Sequence, residues 1–384
     1  MNGNNGQIIK PDQTKVLTDI KDRNVVDTSI NDNVKVNKEP TSVKDDGSLS
    51  ARPSNTLRVY GCGGTGTNII RPYFKHSGAL SELFATINPV VLDASDSDIT
   101  KDIPPEYIYL VEGASSGSDV LKGGGKKRNL NYDDIKLSIK SMLLQHEPGD
   151  FNIVVHSNSG ASGSVIGPLV VSELLSRGHQ VVVLMVGSTS SEIEVKNNKD
   201  TLLSYEYQAA NIHKKPILAI YKENSPETPM KAVDNDMQTI IGLLSILTSG
   251  RNRKLDRTDM THFLDYTKVS EFQPSLTSLD IFGPSVVIGK NEVLIGVVTL
   301  TNEHISHELD VPKYYQAVGI LPNNSLDNVN SELPLNFCTI KGKFNPIVDK
   351  MKTILGQYST SRTAVVEKTI LANDVNANED GMIM

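Results

Sequence analysis

Residues 61–68 read GCGGTGTN, and this stretch decides how the chain around it folds. It follows a short apolar segment at residues 57–60 that is typical of a strand, and it precedes a helical pattern at residues 64–75. A strand, a glycine-rich turn and a helix N-terminus in this order bring bare backbone N–H groups and the positive end of the helix dipole to one point. The stretch therefore predicts a phosphate-binding turn at the carboxyl end of the strand.

The same turn has a second interpretation. The spacing of Gly61, Gly63 and Gly66 matches the dinucleotide fingerprint G-x-G-x-x-G. Asp93, at the end of the next predicted strand, is placed as the acid that binds a ribose hydroxyl. Taken alone, this turn favours an oxidoreductase that uses NAD or NADP. An ordinary tight turn that binds no ligand can have the same sequence pattern.

Two further loops carry residues that suit phosphate. Residues 157–164 read SNSGASGS between a predicted strand and a predicted helix, which repeats the arrangement of the first turn. Residues 122–128 read KGGGKKR and combine flexible backbone donors with the densest positive charge in the chain. Three such loops in strand order favour a nucleoside triphosphate over a dinucleotide. The P-loop pattern G-x-x-x-x-G-K-[ST] is absent.

The chain from residue 56 alternates short apolar strands with amphipathic helices. The predicted strands are 57–60, 90–93, 107–111, 152–156, 181–186 and 217–221, and the predicted helices are 64–75, 133–144, 163–176, 197–212 and 234–249, the last capped at Asp234 or Asn235. Because these strands lack strict polar alternation, we expect a Rossmann-like parallel sheet of an α/β domain, with helices on both faces.

The second part of the chain mixes helices and strands. Its predicted elements are a helix at 256–269, strands at 285–288, 293–300, 316–321 and 336–340, and a last helix from 346 to 357 or onward through 365. The predicted organisation is a disordered N-terminal arm (1–54), a nucleotide-binding domain (55–233), a long central helix with its loop (234–255), a smaller α+β second domain (256–345), and a C-terminal helix with an acidic tail (346–384). The arm is polar and has no aromatic residue, so it cannot bury enough apolar surface to offset its ordering entropy.

Charge and cysteine content exclude several classes of function. The 384 residues include 38 Lys and Arg against 45 Asp and Glu, a net charge of −7, which argues against a broad nucleic-acid face. Cys62 and Cys338 are far apart, which excludes a disulfide framework and a cysteine-built zinc site. No apolar run reaches the roughly 18 residues that span a bilayer, and no secretory signal is visible. These features predict a cytoplasmic protein that binds neither nucleic acid nor membrane directly.

Four motifs occur in the order found in one family. They are the two turns at 61–68 and 160–167, the triplet Asp234-Asn235-Asp236 on the long helix, and LDRTD at residues 255–259. With these motifs the chain resembles the tubulin/FtsZ superfamily over roughly residues 56–384. Three segments, residues 163–169, residues 255–259 and the acidic tail at 378–382, are most similar to the phage-encoded tubulins of the PhuZ group.

This resemblance implies a GTPase that polymerises head to tail into dynamic filaments. Its cofactors would be GTP or GDP with Mg²⁺, and its partner would be a second copy of the chain, to which the acidic tail would bind. The phage group further implies a location in the host cell cytoplasm and a role in positioning phage DNA or the replication compartment. From charge alone, the tail is equally well explained as a solvated chain end.

The resemblance also assigns residues by position. It places the α/β-phosphates against Gly63, Gly64, Thr65, Gly66, Thr67 and Asn68, and it makes Gly160, Ala161, Ser162, Gly163 and Ser164 the tubulin signature loop. It brings Gly124, Gly125 and Lys126 near the γ-phosphate and Asn197 to the ribose and base region, and Asn235 with Asp234 or Asp236 would read the guanine edge.

Asp256 and Asp259 are the implied catalytic pair, supplied to the nucleotide of the next subunit. Carboxylates suit this role because phosphoryl transfer needs an aligned water and management of charge around the γ-phosphate. Their i, i+3 spacing places both on one face of the following helix. Such a pair is also a common helix N-cap with its acidic partner. A scaffold that binds nucleotide without cleaving it is a further alternative.

Two departures from the family pattern affect the site. Ser159 and Ala161 stand where relatives have glycines, and a side chain held at positive φ costs about 1–2 kcal/mol. Either these residues adopt negative φ or the loop is altered. Lys254 stands where an asparagine is expected, and we hypothesise that it reaches the phosphate of the neighbouring subunit.

Overall fold

The computed structural model describes residues 55–76, 83–111, 126–129, 131–305, 309–322 and 333–367. The predicted N-terminal arm, Gly124 and Gly125 with most of their loop, and the acidic tail lie outside the described residues. The predictions for these segments therefore remain predictions.

The described residues contain a large sheet and helices that alternate with its strands. The strands are β1 (Thr56–Cys62), β2 (Thr86–Asp93), β3 (Ile108–Leu110), β4 (Phe151–Ser157), β5 (Val181–Ser188), β6 (Ile217–Asn224), β7 (Leu276–Phe282), β8 (Val293–Thr301), β9 (Tyr315–Ile320) and β10 (Leu335–Lys341). The helices are α1 (Gly63–Ile70), α2 (Tyr132–Gln145), α3 (Gly163–Ser176), α4 (Glu192–Tyr207), α5 (Met230–Thr248), α6 (Arg257–Leu264) and α7 (Phe344–Glu367).

The sheet has ten strands in the order β3-β2-β1-β4-β5-β6-β7-β10-β8-β9. Strands β1 to β7 pair in parallel, β10 pairs antiparallel with both β7 and β8, and β9 is parallel to β8. The predicted α/β class with a mainly parallel sheet is confirmed. Because β1 and β4 are neighbours, the turns that follow them lie side by side at the carboxyl edge of the sheet.

The core lies on both faces of the sheet, which explains why the strands lack polar alternation. Along β1, Leu57 and Val59 pack in one apolar cluster with α1, α5 and α6, and Tyr60 and Cys62 pack in another with α2, α3, α4 and α7. The sheet is thus the middle layer of three. The helix-covered strands can be apolar on both sides, so their carboxyl ends are left to carry the polar loops.

Asn55 connects the start of β1 to the end of α5. Its backbone N–H donates to Ser249 O at 3.2 Å, and its side-chain Nδ2 donates to Thr248 O at 2.9 Å. Next to it, the Thr56 backbone N–H donates to Asp150 Oδ2 at 2.8 Å. These bonds place the end of the long helix at the amino edge of the sheet, opposite the glycine-rich turns.

One predicted strand is wrong and another was missed. Residues 285–288 form no strand, and β7 lies just before them, at Leu276–Phe282. The reason is local chemistry, since Gly283 and Pro284 end the strand. Inside β7 the polar residues Ser278 and Asp280 interrupt the apolar pattern, although Ser278 is buried in the sheet.

Two predicted helix starts are wrong. Helix α5 begins at Met230, after Pro229 in the N-cap position, so Asp234 and Asn235 lie inside the helix and are not caps. Helix α4 begins at Glu192 and not at residue 197, with acidic residues in its first turn that suit the positive end of the helix dipole. It ends at Tyr207 and continues as a π-helical segment, Gln208–His213.

The predicted domain boundaries are not tested by these features and stay a prediction. The pairing of β6 with β7 makes the sheet continuous between residues assigned to the first and second domains.

Within the described residues, no helix combines the length and apolar character that crossing a bilayer requires.

The packing of α3 on β4 predicts opposite effects for two helix glycines. A Cβ atom on Gly167 would lie 2.5 Å from Cδ2 of the buried His156 ring, so Gly167→Ala is expected to lower the free energy of unfolding by about 1–3 kcal/mol. Gly242 in α5 has open space at this position, so Gly242→Ala should raise it by up to about 1 kcal/mol through helix propensity. Urea denaturation measures both, and equal effects of the two substitutions would contradict the packing.

Candidate nucleotide-binding site

The two glycine-rich turns touch each other through their backbones. Gly63 has φ +69°, in the left-handed region, and a Cβ atom on it would lie 2.7 Å from the backbone N of Gly163. A Cβ atom on Gly163 would in turn lie 2.7 Å from Cys62 O. Neither position has room for a side chain, so the first residues of α1 and α3 form one continuous backbone surface.

The predicted residues of the first turn divide into an accessible group and a buried group. Gly64, Thr65 and Asn68 are partly exposed, and the first-turn N–H groups of a helix have no partners within the helix. Thr67 is buried, and its hydroxyl donates to Gly63 O at 3.1 Å. Gly66 is also buried, because a Cβ atom there would lie 2.4 Å from Val155 O. The turn thus presents backbone donors on the outside and is held by Gly66 and Thr67 from within.

Hydroxyl groups hold the second turn. Ser157 Oγ accepts hydrogen bonds from the backbone N–H groups of Ser159 and Gly160, at 3.1 and 3.3 Å. The buried Ser164 hydroxyl lies 2.6 Å from Gly160 O and 3.0 Å from Ala161 O, within donating distance of both. Gly160, Ala161 and Ser162 are partly exposed beside the first turn.

The unusual residues of this turn keep its conformation unstrained. Among the described non-glycine residues, positive φ occurs at Lys126, Lys214 and Lys254 only, so Ser159 and Ala161 are not held there. The Ser159 hydroxyl donates to Ser188 O at 3.2 Å and accepts from Ser188 N at 2.7 Å. A serine in place of glycine therefore adds a link between the second turn and the end of β5.

Asn197 joins the second turn to the third loop. It is buried, and its Nδ2 donates to Lys126 O at 2.8 Å and to Ser159 O at 3.1 Å. Its predicted place near the ribose and base is untested, and in the structure its amide is engaged with these loops. The Lys126 ammonium, expected near the γ-phosphate, is paired with Glu194.

Sequence reasoning missed two residues of the site and the contact of a third. Glu194 pairs with Lys126, Arg128 Nη2 donates to Ser164 O at 3.1 Å, and Asp98 Oδ2 lies where a Cβ atom on Gly64 would be, 2.0 Å from that position. The acidic first turn of α4 was a signal for Glu194. Arg128 lies in the basic loop at 122–128 that the sequence marked, but its bond to Ser164 joins distant parts of the chain and no local pattern predicts it. The same holds for the contact of Asp98, which no motif marks.

Asp93 lies beneath the turns and not on their surface. It is 2% exposed, and its Oδ1 accepts from Ala94 N at 2.7 Å. Burial raises the pKa of Asp93 to about 6. The side chain of Ser162 on the second turn acts in the opposite direction and lowers the pKa of this carboxyl. This position differs from that of a ribose-binding acid open to a ligand.

The acidic triplet on α5 lies near α1. Gln238 Nε2 donates to Ile69 O at 3.1 Å, and Asp234 is one helical turn earlier, toward the carboxyl edge of the sheet. Asp234 Oδ1 is buried and has no hydrogen-bond partner among the residues that the structure describes, and burial raises the pKa of this carboxyl to about 6. Asn235 is exposed, and Asp236 pairs with Lys222 at 3.5 Å. Asp234 is therefore the member of the triplet with an unused acceptor.

Asp256 and Asp259 form a capping box at the start of α6. Asp256 Oδ1 accepts from Thr258 N at 2.7 Å and from Asp259 N at 2.9 Å, and Asp259 Oδ2 accepts from Asp256 N at 3.2 Å. Asp256 is exposed and Asp259 partly exposed. The helix-cap interpretation is thus correct as local structure, and both carboxylates remain accessible.

Lys254 occupies a strained position just before this pair. Its φ is +80°, a region that asparagine tolerates better than lysine, which gives a physical reason for the asparagine expected there. The loop is held by Arg253, whose backbone N–H and C=O both bond to Ile320 at 2.8 Å, and by Asn252 Oδ1, which accepts from Leu255 N. The Lys254 side chain is exposed.

The turns and the acidic pair lie at opposite edges of the sheet. The turns follow the carboxyl ends of β1 and β4. Helix α6 lies at the amino edge, since Gln180, just before β5, donates from Nε2 to Thr261 Oγ1 at 3.1 Å, and Met260 and Phe263 of α6 line one cavity with Leu57 and Phe151 at the starts of β1 and β4. Strand β1 has seven residues, which at about 3.3 Å each separates its ends by about 20 Å. One chain cannot bring its own acidic pair to its own turns.

Comparisons with known proteins agree with this architecture. A scan against protein-family models finds no match. A phage tubulin-like protein of Pseudomonas phage PhiPA3 is 34% identical over 226 residues, which are 58% of this chain and 66% of that relative's length. The solved phage tubulin PhuZ with GDP has a TM-score of 0.71 at 21% identity and covers 85% of this chain and 99% of its own. A protofilament of TubZ from bacteriophage PhiKZ has a TM-score of 0.67, with the same identity and the same coverage.

The chain spans just under two thirds of the length of two phage tubulin-like relatives that it matches in sequence, and it has the fold of the solved tubulin/FtsZ superfamily members, as the order of its motifs implied. Within that superfamily it is similar to the phage-encoded tubulin-like proteins. The alternative of a dinucleotide-dependent oxidoreductase is not supported by any of these comparisons.

The buried Asp93 predicts a pH dependence of stability. Its pKa in the folded chain, about 6, exceeds the ordinary value of 3.8, so the folded state favours the protonated carboxyl. The protonated Asp93 carboxyl makes its full contribution to the free energy of unfolding below about pH 4, and this contribution is lost as the pH rises through 6. Relative to Asp93→Asn, the wild-type free energy of unfolding should fall by about 2–3 kcal/mol between pH 4 and pH 7.

Urea denaturation of both proteins at a series of pH values measures this difference. Asp96→Asn, which removes an exposed negative charge three residues away, serves as the control for net charge. Parallel curves for wild type and Asp93→Asn would contradict the assignment.

Proposed function

We propose that this chain binds GTP, hydrolyses it to GDP and phosphate, and assembles head to tail with copies of itself into filaments. The observation that carries the proposal is the separation of the two halves of the site. The phosphate-type turns lie at one edge of the sheet and the accessible carboxylates of α6 at the other, so a complete site needs two subunits stacked along the strands.

The turns supply the phosphate site. The backbone N–H groups at the starts of α1 and α3 converge where Gly63 and Gly163 touch, and a helix N-terminus favours negative charge. Gly64, Thr65 and the segment from Gly160 to Ser162 are the partly exposed parts of this surface. In the proposal they hold the α- and β-phosphates, and Lys126 at the edge of the third loop approaches the γ-phosphate.

Asp234 suits recognition of guanine. Its unpartnered Oδ1 is an acceptor for the N1–H and N2–H₂ donors of the base, and a buried acceptor left without a donor is costly. Adenine has no donors at these two positions. Filling this acceptor with guanine would therefore give both affinity and selectivity.

The carboxylates of the next subunit complete the site. Asp256 and Asp259 would orient the attacking water toward the γ-phosphate and accept its proton, while the backbone donors of the turns balance the charge on the phosphates. Hydrolysis then depends on assembly, because an isolated subunit lacks the group that aligns the water.

Mg²⁺ fits the same surface. It is usually held by one or two carboxylates together with substrate phosphates and water, and Asp98 offers an exposed carboxylate beside Gly64. The described residues contain no cluster of three or more His, Cys, Asp or Glu side chains that would hold a metal alone. The ion would neutralise phosphate charge when nucleotide is bound.

Two relatives support nucleotide binding and self-assembly. The phage tubulin PhuZ was solved with GDP, and TubZ of phage PhiKZ was solved as a protofilament. By analogy with phage proteins, we place this chain in the cytoplasm of an infected host cell. There its filaments would position phage DNA or the replication compartment, with the tail after residue 367 as a further contact between subunits.

A substitution at Asp234 tests the base assignment. Asp234→Asn places an amide donor where guanine presents its own donor, so GTP affinity should fall at least tenfold, and xanthosine triphosphate, which has an acceptor there, should bind better than GTP. The matched control is Asp236→Asn on the same helix, whose carboxylate pairs with Lys222.

Stabilisation of the folded chain by each nucleotide, read as the rise in melting temperature, measures the preference. Unchanged selectivity in Asp234→Asn, or stabilisation by NAD(P) in place of GTP, would contradict the assignment.

Phosphate release tests the shared site. Turnover per subunit should rise steeply at the protein concentration where filaments form. Asp259→Ala should still bind GTP and pellet as polymer but release phosphate at least about 100-fold more slowly. Asp349→Ala, an exposed acid on α7, is the control. A rate per subunit that stays flat across the assembly threshold would count against the shared site. Filaments of Asp259→Ala that release phosphate at the wild-type rate would favour a scaffold in which Asp259 has no part in hydrolysis.

A further inference from the structure

We propose that Tyr315 is a positioning residue that holds the Asp259 carboxylate in its working orientation. This inference rests on the proposed function, in which Asp259 acts on the nucleotide of the neighbouring subunit. Tyr315 lies at the start of β9, 56 residues after Asp259, and no motif of the sequence marks it.

Two hydrogen bonds account for one lone pair on each Asp259 oxygen. Tyr315 Oη donates to Asp259 Oδ1 at 2.7 Å, and the backbone N–H of Asp256 donates to Oδ2 at 3.2 Å. Because each oxygen has its own donor, the two bonds together restrain rotation of the carboxylate about its side-chain torsions. Each oxygen keeps a second lone pair. Asp259 is therefore fixed in direction and still able to accept a proton from water.

The tyrosine is itself held by the sheet and not by α6. It pairs with Gly296 in β8, and a Cβ atom on that glycine would lie 3.9 Å from Tyr315 Cδ1, so the ring lies against open backbone. The Tyr315 ring also meets that of His262 edge-on, with centroids 5.9 Å apart and planes at 88°. The sheet therefore helps to fix the position of the Asp259 carboxylate, together with the short helix that carries this residue.

Electrostatics keep the phenol a donor. Burial of the Tyr315 ring and the adjacent Asp259 carboxylate raise the pKa of the phenol above its ordinary value. A neutral phenol that donates to a carboxylate forms a charge-assisted hydrogen bond, which is stronger than one between neutral groups. Without that donor, the one restraint that the described residues place on the Asp259 carboxylate is the bond inside the capping box.

Tyr315→Phe removes the donor and keeps the ring. In filaments formed with GTP, phosphate release per polymerised subunit should fall about tenfold, as expected for losing a hydrogen bond to a charged group. The GTP concentration for half-maximal turnover and the mass of pelleted polymer should stay unchanged. Tyr314→Phe is the control, because Tyr314 is the exposed neighbour whose ring packs on Phe272.

The double variant separates positioning from an independent effect. In an Asp259→Ala background, Tyr315→Phe should cause no further loss, since the group it positions is gone. A further tenfold loss there would overturn the inference. If Tyr315→Phe subunits fail to polymerise alone, copolymers with wild type should lose turnover in proportion to the variant fraction at constant polymer mass, and unchanged turnover would again overturn it.

These results distinguish the inference from the function on which it rests. Wild-type turnover in Tyr315→Phe together with slow turnover in Asp259→Ala would remove the role of Tyr315 and leave the shared site intact. Wild-type turnover in Asp259→Ala would remove both.

Discussion

The contact between Gly63 and Gly163 is the constraint on which the site depends. With a Cβ atom on either residue, backbone atoms would approach to 2.7 Å, so only glycine lets the starts of α1 and α3 meet. This contact requires β1 and β4 to be neighbours, and the parallel order of the sheet makes them so. Hydroxyl groups of Ser157, Ser159 and Ser164 then hold the second turn from behind, which leaves its backbone donors facing outward.

The sequence predicted those parts of the structure that depend on local patterns. Apolar strands followed by glycine turns identified β1, β4 and their helices, and the spacing of Asp256 and Asp259 identified both the cap and the acidic pair. Strand β7 was missed because its polar residues are buried by sheet pairing, which no local pattern records. The bonds of Asn197, Arg128 and Tyr315 were missed for the same reason, since their partners are distant in sequence.

The start of α6 shows that a structural role and a chemical role can use the same bonds. The capping box stabilises a helix of eight residues, and it also orders two carboxylates at the surface. A cap alone needs no outside donor, yet Tyr315 adds one to Asp259 from the sheet. The extra bond restrains Oδ1 of Asp259, the oxygen of this carboxylate that the capping box does not use.

The anchoring of Asn55 to the end of α5 has a consequence for how the molecule can be labelled. Asn55, the first residue that the structure describes, is held at the amino edge of the sheet, beside the start of α6. A fluorescent protein or affinity tag joined close to this residue would occupy the surface that carries the acidic pair. Helix α7, by contrast, packs against α4 on the flank of the sheet, so a reporter attached to an exposed residue of α7 such as Asp349 would lie on a different side of the molecule.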